Sequence, residues 1–182
     1  FSSSVLRSEL TKRFVQDERV LDLISDMVKP GIAIYSAKLT AKMPQSADIC
    51  HWHQDNAYYN AQAESNTRLS TWIPLRDATE ENGSLWVVPG SHTRGVAEHG
   101  AFGGQCPKSM GPVDIVVEDA IPCPVSAGDM LIFNADLWHH SKENHTDHIR
   151  RAFIVSYQEA TIAQGNGAQW KILRPAVDTS IG

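Results

Sequence analysis

Two histidines and a carboxylate, brought together, can hold a metal, and His51-Trp52-His53-Gln54-Asp55 offers the first part of such a set. In a β-strand, residues two apart point to the same face, so His53 and Asp55 would project side by side. One more histidine from a distant strand would complete a 2-His-1-carboxylate face. That arrangement leaves open positions on a non-haem Fe(II) ion, where an oxygenase needs them. His51 falls on the same face and offers a rival pair, His51 with His53.

The spacing alone is weak. With 8 histidines and 12 aspartates in 182 residues, chance supplies about half a His-x-Asp. A second copy, His145-Thr146-Asp147, sits in the polar run from Lys142 to His148, which reads as loop. Support for His53 and Asp55 must come from elsewhere in the chain.

The candidate third ligand lies in Leu137-Trp138-His139-His140-Ser141, directly after the apolar run Met130 to Phe133. A histidine at a strand end is well placed on the rim of a barrel mouth. His139 is far enough from His53 that it must come from a different strand, and His140 is its rival. Farther on, Arg150 opens another alternating run. It shares a face with Ala152, Ile154 and Ser156, while Arg151, Phe153, Val155 and Tyr157 share the other. A buried arginine needs an anionic partner. The small residues beside it leave room for a dicarboxylate such as 2-oxoglutarate, whose far carboxylate suits a bidentate guanidinium contact. The Ser141 hydroxyl can add a further bond.

The elements that must position these groups are mostly short strands. Val5 to Phe14 reads as an amphipathic helix. A second helix follows an Asp17 N-cap, with Val20, Leu21, Leu23, Ile24, Met27 and Val28 as its apolar stripe, and Pro30-Gly31 ends it. Strands are expected at 32–39, 49–55, 68–75, 84–88, 114–117, 130–133 and 151–157, with turn signals between them. Strand–helix alternation is absent, which disfavours a doubly wound sheet. The pattern predicts a mainly β fold, a jelly roll behind an N-terminal helical layer. Residues 1–31 form that layer, 32–157 the jelly-roll core and 158–182 a C-terminal extension, all in a single domain spanning 1–182. The glycine-rich stretch 93–113 is the expected lid.

Composition narrows the function classes. Apolar content of 42% and charged content of 20% are ordinary for a globular domain. A net charge of −5 without a basic run excludes the usual signature of nucleic-acid or anionic-membrane binding. A small molecule is the expected partner, and nothing in the pattern specifies an oligomeric state. Three cysteines, Cys50, Cys106 and Cys123, lack C-x-x-C spacing. They argue against a disulfide framework or a zinc knuckle and fit a reducing, cytoplasmic compartment. No apolar run approaches the ~20 residues of a membrane span. The chain starts at Phe1 rather than Met, in what reads as the middle of a helix, so its natural N-terminus and any targeting signal are expected to lie outside it.

Four stretches resemble the phytanoyl-CoA dioxygenase family of Fe(II)/2-oxoglutarate oxygenases. They are Lys42-Met43-Pro44 with Trp52-His53-Gln54-Asp55; Trp72-Ile73-Pro74-Leu75; Asn82-Gly83-Ser84-Leu85 to Pro89-Gly90-Ser91-His92; and His139-His140-Ser141-Lys142-Glu143-Asn144 to Arg150-Arg151-Ala152. In the family's H-x-S-x-x-N pattern, the metal histidine stands five before the asparagine. Counting back from Asn144 selects His139, with His140 where the family often has glycine. The resemblance implies a double-stranded β-helix of the jelly-roll, cupin-like kind. It implies His53, Asp55 and His139 as iron ligands, Arg150 and Ser141 on the 2-oxoglutarate carboxylate, and Trp72 against the co-substrate. It further implies that O2 and 2-oxoglutarate are consumed, that succinate and CO2 are released, and that a small molecule is hydroxylated. Related halogenases lack the carboxylate that Asp55 supplies, so hydroxylation is favoured.

Two other functions remain open on the sequence. One is a cupin-like metalloenzyme that uses His51 and His53 and no keto acid. The other is a non-catalytic binding module that keeps the fold. For the remaining aromatics, Tyr58, Tyr59, Trp86, Phe102, Trp138 and Trp170, core packing is the simpler expectation. Gly83 and Gly90 are backbone-shape residues, and His99, His145 and His148 are expected to be solvated.

Overall fold

In the computed structural model, residues 7–58, 65, 67–99, 117–165 and 171–176 are described. The expected strand from Asp114, most of the glycine-rich stretch, and Tyr59, Phe102 and Trp170 lie outside them. Among the described residues there are nine strands: β1 (Ile32–Lys42), β2 (Cys50–His53), β3 (Leu69–Pro74), β4 (Leu85–Val87), β5 (Ile121–Cys123), β6 (Leu131–Asn134), β7 (His139–Ser141), β8 (Arg150–Gln158) and β9 (Ile172–Arg174). They form two antiparallel sheets, one ordered β6-β3-β8-β1-β9 and the other β2-β7-β4-β5. This is the mainly β, jelly-roll architecture that the turn spacing predicted.

Three strands, β5, β7 and β9, escaped the sequence pattern for a physical reason. β5 and β9 are three residues each, too short to display a period, and β5 carries Pro122. Proline cannot donate to a ladder, and β5 is accordingly an edge strand. His139 was expected at the end of the Met130–Phe133 run. It instead opens its own strand, β7, in the opposite sheet, and this crossing carries it toward β2.

Alternation along β8 sorts its side chains as the sequence indicated. Phe153, Val155 and Tyr157 join the outer apolar cluster, whereas Ala152 and Ile154 face the inner one with Trp72, Leu85 and Phe133. The outer cluster is roofed by α1 (Glu9–Val15) and α2 (Glu18–Ile24). Asp17 caps α2 by accepting from the Arg19 backbone N–H at 3.0 Å. Leu21 and Ile24 are almost completely buried. Side chains of this size contribute about 1.5–3 kcal/mol each on burial. The apolar stripes are narrower than expected, however. Leu10, Leu23 and Met27 are exposed at 76%, 61% and 46%. Each helix is only 7 residues long and meets the sheet along one line, so flanking apolar positions miss it.

Candidate metal centre

Strict alternation is not what joins His53 to Asp55. β2 ends at His53, and Asp55 opens a 3-10 turn, Asp55–Tyr58, instead of continuing the strand. Against β7, Cys50 lies opposite Ser141 and His53 opposite His139, so β2 spends one more residue than its partner over the same span. That irregularity is a bulge, a device that re-aims a side chain next to a site. It leaves His51 exposed and His53 buried.

Three donors converge. One ligand atom each from His53, Asp55 and His139 lies within 4.8 Å of the others, and all three residues are buried. Asp55 Oδ1 is 4.0 Å from His53 Nε2 and 3.9 Å from His139 Nε2. The tautomers follow from the backbone. His53 Nδ1 lies 2.7 Å from the His51 carbonyl and His139 Nδ1 lies 2.9 Å from the Leu137 carbonyl. A carbonyl only accepts, so each Nδ1 carries the proton and each Nε2 presents a lone pair to the centre. A hydrogen bond at the far ring nitrogen orients an imidazole ligand.

The carboxylate is oriented in the same way. Ser70 donates its hydroxyl to Asp55 Oδ2 at 2.5 Å, and Ser70 and Ser156 hydroxyls are 3.1 Å apart. Oδ1 is thereby left to the histidines. Burial pushes the His53 basicity well below that of an ordinary imidazole, and the neighbouring His139 adds to this. His139 is lowered by burial too. For Asp55, burial alone would raise the pKa. The fields of His139, Lys38 and His53, with the Ser70 hydrogen bond, outweigh it and hold the carboxyl below the usual range. Neutral imidazoles beside an ionised carboxylate are the protonation states a divalent cation requires.

These donors open onto a cavity of about 210 Å³ that Arg150, Ser141, Trp72 and Phe133 also line. Arg150 is 3% exposed, and its guanidinium carbon sits 5.2 Å from the centre of the Trp72 ring. It donates to the Gly83 carbonyl at 3.0 Å, while its Nε is buried without a hydrogen-bond partner. Burial pulls its pKa down to about 10. A buried cation with an unpaired N–H is costly unless an anion completes it. Gly83 is required where it stands. Its φ is +82°, and a Cβ there would lie 2.7 Å from the Lys142 carbonyl oxygen.

His140 is turned away from the donors. It occupies the opposite face of β7, between Trp52 at 4.1 Å and Trp86 at 6.2 Å, centroid to centroid. The sequence pattern left three supporting residues unremarked. Ser70 could have been noticed two before Trp72, on the same face of its strand. Gln54 is fully buried. Its side chain donates to the Gly95 and Asp136 carbonyls and accepts from the Ala97 N–H, tying two loops to the metal-centre turn. Lys38 lines the cavity from β1. No local signal marks the last two.

Two expectations are corrected. His99 is not solvated: it is partly buried, stacks on Trp138 at 5.1 Å, and accepts from the Gln54 backbone N–H at 3.0 Å. Its partners are remote in sequence, so only the fold could supply them. Cys50 is disulfide-bonded, to a partner outside the described residues, whereas Cys123 is a free thiol. The odd cysteine count did not exclude a single bridge. No helix among the described residues is long and apolar enough to cross a membrane.

The family model described as phytanoyl-CoA dioxygenase (PhyH) matches residues 2–152. A mouse (Mus musculus) protein, phytanoyl-CoA dioxygenase domain-containing protein 1, is 32% identical over 137 residues, covering 71% of this chain and 46% of its own length. The chain thus spans about half the length of the curated relatives it matches. Among solved structures, the apo form of the non-heme monooxygenase ThoJ superposes with a TM-score of 0.69 at 26% identity, over 81% of this chain and 54% of that one. EvdO2 from Micromonospora carbonacea var. aurantiaca, solved with 2-oxoglutarate, gives 0.67 at 26% identity, over 85% of this chain and 61% of its own.

Proposed function

The chain belongs to the phytanoyl-CoA dioxygenase family, and from that premise we propose that it is an Fe(II)/2-oxoglutarate-dependent dioxygenase that hydroxylates a small molecule. One observation carries the reading. A facial His-Asp-His donor set and a buried arginine with an unpaired N–H line the same cavity. Iron fits the donor chemistry, two neutral nitrogens and one carboxylate oxygen. A dicarboxylate suits a cavity lined by both that set and the guanidinium.

In this reading His53, Asp55 and His139 hold the metal, and Arg150 with Ser141 binds the distal carboxylate of 2-oxoglutarate. The indole of Trp72 packs against the co-substrate and backs the guanidinium. Iron, when bound with the keto acid, supplies O2 activation coupled to release of succinate and CO2. The protein's own part is positional. The backbone carbonyls of His51 and Leu137 fix the imidazole tautomers, and Ser70 fixes the carboxylate. Leu85, Phe133 and Ile154 give the cavity apolar walls, which disfavour water beside the donor set. The His51–His53 alternative lacks this support, because the His51 side chain is exposed while its carbonyl is engaged by His53.

Anaerobic titration of the Fe(II)-loaded protein with 2-oxoglutarate tests the proposal. A weak visible metal-to-ligand charge-transfer band that saturates at one keto acid per iron is the expected result. Iron binding without the band would favour a metalloprotein that uses no keto acid, and failure to bind iron would remove the metal centre altogether.

A further inference from the structure

We infer that Lys38 binds an anionic group of the primary substrate at the mouth of the metal cavity. The inference rests on the function proposed above and adds a substrate class to it. Beyond the bulge at Tyr35, β1 pairs residue for residue with β8: Lys38 with Ile154, Thr40 with Ala152 and Lys42 with Arg150. Lys38, Thr40 and Lys42 therefore point, at period two, to the inner face that carries Arg150. All three line the cavity of the donor set.

Each other charge in that cavity has a counterpart. Lys42 is buried, donates to the Asp48 carbonyl, and has the Asp48 and Glu143 carboxylates nearby. Arg150 is assigned to the distal carboxylate of the keto acid. The two charges of a bound Fe(II) would be met by Asp55 and the keto acid's near carboxylate. Lys38 is the cation left over. It is exposed at the rim, and among the described residues it makes no hydrogen bond or ion pair. Its charge still reaches the centre, since Asp55, His53 and His139 all feel its field. An ammonium on a flexible four-carbon stem at the cavity rim suits a carboxylate, phosphate or phosphonate carried by a molecule entering beside the donor set.

The test uses small fluorinated probes with the Mn(II)-loaded protein saturated with 2-oxoglutarate. Paramagnetic relaxation of the fluorine signal is compared for trifluoroacetate and trifluoroethanol, which differ in charge. In the wild type, trifluoroacetate should be relaxed severalfold more than trifluoroethanol. Lys38→Met should erase the difference and Lys38→Arg should keep it. Equal relaxation of the two probes in the wild type, or an undiminished preference in Lys38→Met, overturns the inference. The Fe(II)·2-oxoglutarate band is recorded in parallel. If Lys38→Met loses it, the lysine serves the keto acid instead and the inference fails while the proposed function stands. If the wild type lacks the band, the proposed function fails and the inference falls with it.

Discussion

His53 and His139 face each other across the β2–β7 ladder, with ring centroids 4.1 Å apart and ring planes inclined at 50°. Both rings are held by a backbone carbonyl two residues earlier in the chain, and both direct Nε2 at the same carboxylate oxygen. A strand register thus does what a local motif cannot: it fixes the distance between ligands from remote parts of the chain.

Replacement of the carboxylate should remove the chemistry without removing the fold. Asp55→Ala is expected to lower 2-oxoglutarate turnover by about a thousandfold, the equivalent of ~4 kcal/mol in the barrier. Succinate formation and bound iron per chain are the readouts. Near wild-type turnover in this variant would exclude Asp55 as a ligand.

The two adjacent histidines should separate cleanly. His139→Ala is expected to lose stoichiometric iron. His140→Ala should retain iron and lose only its packing between Trp52 and Trp86, about 0.5–1.5 kcal/mol of stability. Metal analysis beside thermal denaturation distinguishes them, and iron loss from His140→Ala alone would reverse the assignment.

Arg150→Met should uncouple binding from stability. The variant removes a buried cation whose Nε has no partner. Its melting temperature is therefore expected to hold or rise. Its affinity for 2-oxoglutarate should fall by about a hundredfold or more, because a charge-assisted bidentate contact is lost. Calorimetric titration beside a melting curve checks both halves.

Acid should destabilise the metal-free protein early. His53 and His139 are lowered in the folded state by burial, and His140 is lowered to about 4, again chiefly by burial. For such groups the unfolded chain binds more protons, so their stabilising contribution is complete above the unfolded pKa of about 6.5 and declines as pH falls below it. Each proton taken up on unfolding adds a slope of about 1.4 kcal/mol per pH unit. Asp55 acts in the same direction at lower pH: its folded pKa is depressed, so its contribution is present above about 3.9 and is lost as pH falls toward the folded value. Denaturant unfolding from pH 7 to pH 5 should show stability falling, with a shallower slope in His53→Gln. A flat profile would mean that the histidines are not buried neutral.

Gly83→Ala should damage fold and site together. Its φ of +82° and the 2.7 Å approach to the Lys142 carbonyl oxygen leave no place for a methyl group. A cost of about 1–3 kcal/mol is expected. Because the Gly83 carbonyl accepts from Arg150, weaker 2-oxoglutarate binding should accompany it. Unchanged stability would mean that the turn relaxes freely.

The class of fold, the identity of the converging groups and the faces of β8 were legible in the residue pattern. Alternation and turn chemistry are local, and a resemblance in motif order names residues without coordinates. Arg150 could be placed on the inner face because period two is a property of any strand. How those groups meet is a property of the folded chain. The bulge in β2, the 3-10 turn that presents Asp55, the crossing that carries His139 from the β6 sheet to β2, and the Gln54–His99 contact all depend on partners distant in the chain. Pairing register and buried hydrogen bonds are set by the energy of the whole packed molecule, which no window of neighbouring residues contains.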